Sequence, residues 1–128
     1  MGVDDQEFLA LIRADGESRR RYWIRCVADL EEVWSLRDTD GWVLSATSGQ
    51  VECVPVWSHV EYAEACAVGR WDGCLATRIE LVDWMDRWLP GMARDKKLAE
   101  VFMVPSGRGC LISPSDLREQ LVEELRSY

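Results

Sequence analysis

Histidine is nearly missing from this chain: of 128 residues only His59 carries an imidazole, and no two of the five cysteines form a Cys-x-x-Cys pair. A tetrahedral metal site would have to draw its ligands from all over the chain, so neither a metal nor any other cofactor is expected. No apolar run approaches the roughly 18 residues that a membrane-crossing helix requires. Excess positive charge is missing too. Fifteen Lys and Arg stand against 23 Asp and Glu, giving a formal net charge of -8 and a pI near 4.6. That balance opposes the counterion release that drives proteins onto nucleic acid or anionic lipid, so no nucleic-acid or membrane partner is expected.

The first eight residues, MGVDDQEF, are acidic where a secretory signal would be basic. The cysteines Cys26, Cys53, Cys66, Cys74 and Cys110 are widely spaced and sit mostly among apolar residues, as free thiols do in a reducing compartment. Both features lead to the expectation of a cytoplasmic protein. The local exception to the acidic balance is Arg19-Arg20-Arg21, with Arg25 one helical turn further on. Such a run could grip a phosphate or an acidic partner, although a solvated helix face is the plainer reading.

Apolar residues make up 48% of the chain and charged residues 30%, the balance of a chain that folds alone, and its length predicts one domain over residues 1–128. Asp4 with Glu7 forms an N-cap pattern ahead of Phe8, Leu9, Leu11 and Ile12, predicting a helix over 4–14. Beyond Gly16, a second amphipathic helix is predicted over 18–28, with Tyr22, Trp23, Cys26 and Val27 inward.

Strand-like runs follow at 33–36 and 42–45, joined by a turn whose Asp40-Gly41 supplies positive φ. A third run spans 51–57, in which Pro55 points to an edge position or the strand's end. Ser58 with Glu61 forms a capping box for a helix over 59–68, ended by Gly69. A strand over 76–81 precedes a helix from Asp83 that Pro90-Gly91 should disrupt. Runs at 99–104 and 109–112 are joined by Pro105-Ser106-Gly107-Arg108. Gly107-Arg108-Gly109 lacks a downstream helix, so it is a turn and not a dinucleotide fingerprint. Ser113 as N-cap, Pro114 and Asp116 open a final helix. The order ααβββαβαββα, with hairpins outnumbering crossovers, predicts an α+β fold: one mostly antiparallel sheet of five to six strands covered by helices.

Three segments carry a family resemblance: Val27-Ala28-Asp29-Leu30-Glu31-Glu32-Val33-Trp34-Ser35-Leu36 with Asp40-Gly41-Trp42; Pro55-Val56-Trp57 with Tyr62-Ala63-Glu64-Ala65-Cys66-Ala67; and Trp88-Leu89-Pro90-Gly91-Met92. Together, over roughly residues 22–126, they resemble the small bacterial family catalogued as domain of unknown function 2750. Residues 1–20 then stand outside it as a helical extension. The resemblance implies a bacterial cytoplasmic protein and brings no activity, substrate or catalytic residue. The element order is also similar to the N-terminal domain of the enhanced-serine-sensitivity proteins, which implies an accessory or interaction role.

His59 and Cys66 lie two helical turns apart, a conceivable nucleophile pair, yet about 10 Å of axial rise would separate them. Cys66 reads better as a small buried hydrophobe. Asp38 with Asp40, and Asp83 with Asp86, could share acid–base work or hold a cation, but turn geometry and the helix dipole explain both pairs. Seven tryptophans are many for this length, and most should be core. The candidate interaction site is Arg70, Trp71 and Asp72, flanked by Gly69 and Gly73, because Arg and Trp are enriched at binding hot spots. The competing reading makes Trp71 a plug folded back onto the core. The leading expectation is a non-enzymatic, acidic protein-interaction module, immunity-like or accessory, with an unidentified protein partner. The alternatives are a small-molecule-binding domain and a small Cys/His or carboxylate hydrolase.

Overall fold

The computed structural model describes residues 5–128, and Asp4, the expected cap of the first helix, lies outside the described residues. In chain order the elements begin α1 (Asp5–Arg13), α2 (Gly16–Leu30), β1 (Glu32–Asp38), β2 (Gly41–Trp42), β3 (Ser45–Ala46), β4 (Glu52–Val56) and α3 (Val60–Ala65). After a 3-10 turn (Gly69–Trp71) come β5 (Leu75–Glu80) and a helix in three parts: α4 (Leu81–Asp83), a π-helical stretch (Trp84–Trp88) and α5 (Leu89–Arg94). The chain continues with β6 (Leu98–Val101), β7 (Cys110–Ile112) and α6 (Pro114–Leu125).

The class is α+β, but the expected single sheet is replaced by two, with strand orders β2-β1-β5 and β3-β4-β6-β7. The division has a local cause at residues 42–45, read from sequence as one strand. Val43 donates to Leu36 O at 3.0 Å and completes the first hairpin, whereas Ser45 pairs with Cys53 in the second sheet. The chain changes sheets between them. The Asp-Gly turn forms as its chemistry requires: Asp38 Oδ1 accepts from the amides of Asp40 (2.7 Å) and Gly41 (3.1 Å), and Gly41 sits at φ 133°. One bridge joins the sheets, where Trp34 and Trp57 exchange N–H···O bonds of 2.9 and 2.8 Å.

The ladders are antiparallel except for β4 with β6, which run parallel. This makes β4 an interior strand, so Pro55, one residue from its last, marks the strand's end and not an edge. Val56 O accepts from Phe102 N on the β6 side, so the neighbouring Pro55 turns its backbone the other way, where β3 has already ended. There its carbonyl accepts from Ser35 Oγ at 2.6 Å, and its missing N–H breaks no ladder.

Three local signals also differ from expectation. His59, not Ser58, is the N-cap of α3, and Ser58 Oγ shares a 2.8 Å hydrogen bond with His59 Nδ1. Pro90 does not end its helix. The preceding turn widens so that Leu89 N bonds back to Trp84 O, and this relieves the clash a proline ring makes with the carbonyl four residues before it. β6 stops at Val101, short of 104, because Phe102 takes φ 61° and turns the chain out of the sheet. The cap signal of α6 acts as read, with Ser113 accepting from Asp116 N at 3.2 Å, whereas α2, expected from Ser18, begins at Gly16 behind Asp15, which accepts from Ser18 N at 2.7 Å.

Trp23, Trp57, Trp84, Tyr62 and Phe102 are fully buried and anchor a core that spans both sheets. Each such ring contributes on the order of 2 kcal/mol or more by leaving water. α2 packs on β1, β6 and β7 and against α6, which also meets α5. No helix among the described residues is long and apolar enough to cross a membrane.

Candidate interaction cleft

Gly69 (φ 61°) and Gly73 (φ 84°) bracket the 3-10 turn, in which Trp71 N donates to Val68 O and Asp72 N to Gly69 O, each at 3.0 Å. The tight turn swings the Trp71 indole inward until it is 8% exposed, while Arg70 and Asp72 remain in solvent. The Arg70 guanidinium lies over the Trp71 ring, 5.0 Å from its centroid. The three candidate residues are thus brought together but divided in environment, a buried ring under an exposed cation and an exposed carboxylate.

Three surface hollows meet at Arg70. One, of about 310 Å³, is lined by Asp38, Asp40, Trp42, Val43, Leu44 and Trp71. A smaller one, of about 160 Å³, lies on the other side of Trp71 beside Cys66, Met103 and Pro105. The third, of about 590 Å³, includes Gln50, Glu52, Asp95, Lys96 and Lys97, and there Lys97 pairs with Glu52 at 3.1 Å.

The first hollow is both aromatic and acidic. Trp42 is half-buried, edge-on to Trp88 at 4.8 Å, with the Arg37 guanidinium 5.0 Å from its own centroid. Trp88 in turn meets Trp84 at 5.7 Å and Trp84 meets Trp23 at 6.3 Å, so four indoles run in file from the core to the cleft. The Cys74 thiol is pushed up by desolvation and then by the charges of Asp38 and Asp72. No salt bridge among the described residues neutralises Asp38, Asp40 or Asp72.

The catalytic candidates do not assemble. Cys66 Sγ donates to Met103 O at 3.3 Å, and burial pushes its thiol up to about 12, the wrong direction for a nucleophile. His59 packs its ring on Tyr62 (5.2 Å) and Tyr22 (6.2 Å), and desolvation holds its pKa below the ordinary 6.5. No hydrogen bond joins His59 to Cys66 among the described residues. Asp83 pairs with Arg87 at 3.8 Å, Asp86 is exposed, and no group of three or more His, Cys, Asp or Glu that could hold a metal occurs among the described residues.

The arginine run is dispersed as well. Arg19 is buried and donates to Ala14 O (2.5 Å), Phe102 O (3.2 Å) and Arg108 O (2.9 Å), whereas Arg21 pairs with Glu17 at 3.1 Å. Two clusters escaped the sequence reading. Glu100 is fully buried on β6, and Glu7 Oε1 accepts from the hydroxyls of both Tyr22 (2.5 Å) and Tyr62 (3.3 Å). Each joins residues far apart in the chain, and no local pattern announces either.

Fold and cleft together define an α+β protein with an acidic, aromatic surface hollow. The chain belongs to the family described as protein of unknown function (DUF2750), whose model matches residues 20–121, near the expected 22–126. No curated protein and no solved structure was found to match the chain. Every residue lining the acidic hollow falls within the matched span, and α1 falls outside it.

Proposed function

We propose that this chain is a non-enzymatic protein-interaction module that takes a basic side chain of a partner protein between Trp42 and Trp71. The observation that carries the reading is the pairing of two indoles with the carboxylates of Asp38 and Asp40 in one hollow of about 310 Å³. A Lys or Arg entering there competes with the Arg37 and Arg70 guanidiniums for the indoles and is drawn by the carboxylates of Asp38 and Asp40, which no salt bridge among the described residues neutralises. Arg70, exposed on the rim, adds a donor for a carboxylate of the partner and fixes its orientation. The net charge of -8 steers basic proteins toward the surface. A cytoplasmic setting and an immunity-like or accessory role accord with this chemistry. The raised Cys66 thiol weighs against the hydrolase reading.

A lysine- and arginine-containing peptide titrated into labelled protein tests the site. The indole N–H signals of Trp42 and Trp71 should shift, and the Asp38→Asn/Asp40→Asn double variant should abolish the response. Arg70→Ala should change stability by less than about 0.5 kcal/mol. Trp71→Ala should cost about 3 kcal/mol, because the ring is buried. Unshifted indoles, together with pull-downs from the native host that recover no protein above background, would remove the proposal. A second reading, an anionic small molecule in the hollow of about 590 Å³ beside Arg70, Lys96 and Lys97, predicts thermal stabilisation by anionic metabolites.

A further inference from the structure

On another face, α1 sits across an aromatic cluster that the cleft does not use. Tyr22, His59, Tyr62 and Phe102 pack ring to ring, with Tyr22 and Phe102 centroids 5.9 Å apart and Tyr62 and Phe102 4.8 Å apart. His59 follows β4 and Phe102 follows β6, so the cluster lies at the carboxyl ends of the two parallel strands, where open sheets hold their ligands. Phe102 is held there at φ 61°, a conformation unfavourable for a bulky side chain and kept by its surroundings.

What covers the cluster is specific. Phe8 places its ring 5.2 Å from that of Tyr62, and the adjacent Glu7 carboxylate accepts hydrogen bonds from both tyrosine hydroxyls, which lie 3.2 Å apart. Desolvation raises both tyrosine pKa values, so the hydroxyls remain donors at any physiological pH. The carboxylate is therefore bound by neutral donors beside aromatic faces.

The cover is also weakly attached. α1 has nine residues, too few to be stable alone, and Leu11 is its only buried side chain, with Phe8 and Ile12 partly buried against the core. Its far end is pinned by Arg19 Nη1 on Ala14 O, next to the junction with α2, which leaves the Glu7–Phe8 end as the part that can lift. The four cluster residues lie inside the matched span of 20–121, and α1 lies outside it.

We propose that Tyr22, His59, Tyr62 and Phe102 form a binding site for a helical segment presenting a carboxylate next to an aromatic residue, and that α1 occupies it in cis as an autoinhibitory strap. The site is separate from the cleft at Trp42 and Trp71, and neither proposal requires the other. A strap on a short linker acts at an effective concentration on the order of millimolar, so a competing segment binds well only when the strap is released.

The test uses the full chain and a fluorescent peptide of residues 5–14. The Glu7→Ala/Phe8→Ala double variant should bind the peptide at least about tenfold more tightly than the unaltered chain. Replacing the peptide's glutamate by glutamine, or introducing Tyr62→Phe into the double variant, should reverse most of that gain, since each removes a hydrogen bond to a charged group. Equal binding by the two chains, or indifference to the glutamate, would overturn the proposal. Hydrogen exchange on the unaltered chain gives an answer even if the double variant folds poorly. Excess peptide should speed exchange in residues 5–13 while sparing α2, and unchanged exchange would count equally against the strap.

Discussion

Arg108 grips Glu100 through two parallel bonds, Nε to Oε2 at 2.8 Å and Nη2 to Oε1 at 3.0 Å, and Glu100 is wholly withdrawn from solvent. Ser45 Oγ (2.5 Å) and Gly109 N (3.0 Å) donate to the same carboxylate, while Arg108 Nη1 reaches Ala46 O at 2.7 Å. One buried charge thus ties β3, β6 and the β6–β7 connection together. Arg108→Ala removes the compensating cation but leaves two donors, and half of the arginine is exposed and screened. The expected loss is about 2 kcal/mol, below the range for breaking a fully buried pair. Urea unfolding measures it, and an unchanged midpoint would show that the pair contributes nothing.

Gly109→Ala should be similarly harmful for a different reason. A Cβ at this position would lie 2.6 Å from Val101 O and 2.9 Å from Met103 N, both main-chain atoms that cannot swing aside. The connection would have to shift, at about 2 kcal/mol or more. A variant as stable as the parent would mean that the chain passes this point less closely than described.

Cys66 should be inert. At pH 8 a thiol with a pKa of about 12 is ionised on the order of once in ten thousand, and the sulfur is buried. Disulfide-exchange labelling of the native protein should modify Cys66 only as fast as the chain opens, and much faster in denaturant. Rapid native labelling would reinstate the nucleophile.

His59 makes stability depend on pH with a definite sign. Its folded pKa lies below the ordinary 6.5, first because of desolvation, with Glu61, Glu7 and Glu32 opposing. The folded state therefore binds this proton less readily than the unfolded state, and stability falls as pH drops from about 7 through 6.5 toward the folded pKa. Subtracting the pH profile of a His59→Gln variant isolates the effect. Parallel profiles between pH 7 and 5 would refute it.

Local signals were read from the sequence where short-range chemistry decides the structure. Ser113 caps its helix, and Asp38 and Gly41 close their hairpin, because each interaction spans at most three residues. The sequence misled where a remote partner decides. Nothing near Val43 reveals that the strand leaves one sheet for another, since the choice is made by Cys53 and Leu36 on different strands. Pro90 reads as a stop, yet a widened turn absorbs it. The loop 69–73 was visible through its glycines and its Arg-Trp pair, whereas the carboxylates facing it come from the distant turn at Asp38 and Asp40. The tyrosine–glutamate cluster combines residues 7, 22 and 62, so only the assembled fold reveals it.

β5 lies in the chain between β4 and β6 but belongs to the other sheet. The pairing of residues 32–37 with 75–80 and that of 53–56 with 98–101 are therefore interleaved, each closing a loop of some forty residues before any ladder energy returns. During synthesis, only the hairpins β1–β2, β3–β4 and, at the end, β6–β7 have their partners nearby. A nascent chain holds the apolar faces of β1 and β4 without their main partners until β5 and then β6 have left the ribosome. Both sheets then close late and nearly together, and the Trp34–Trp57 bridge makes them fail together as well.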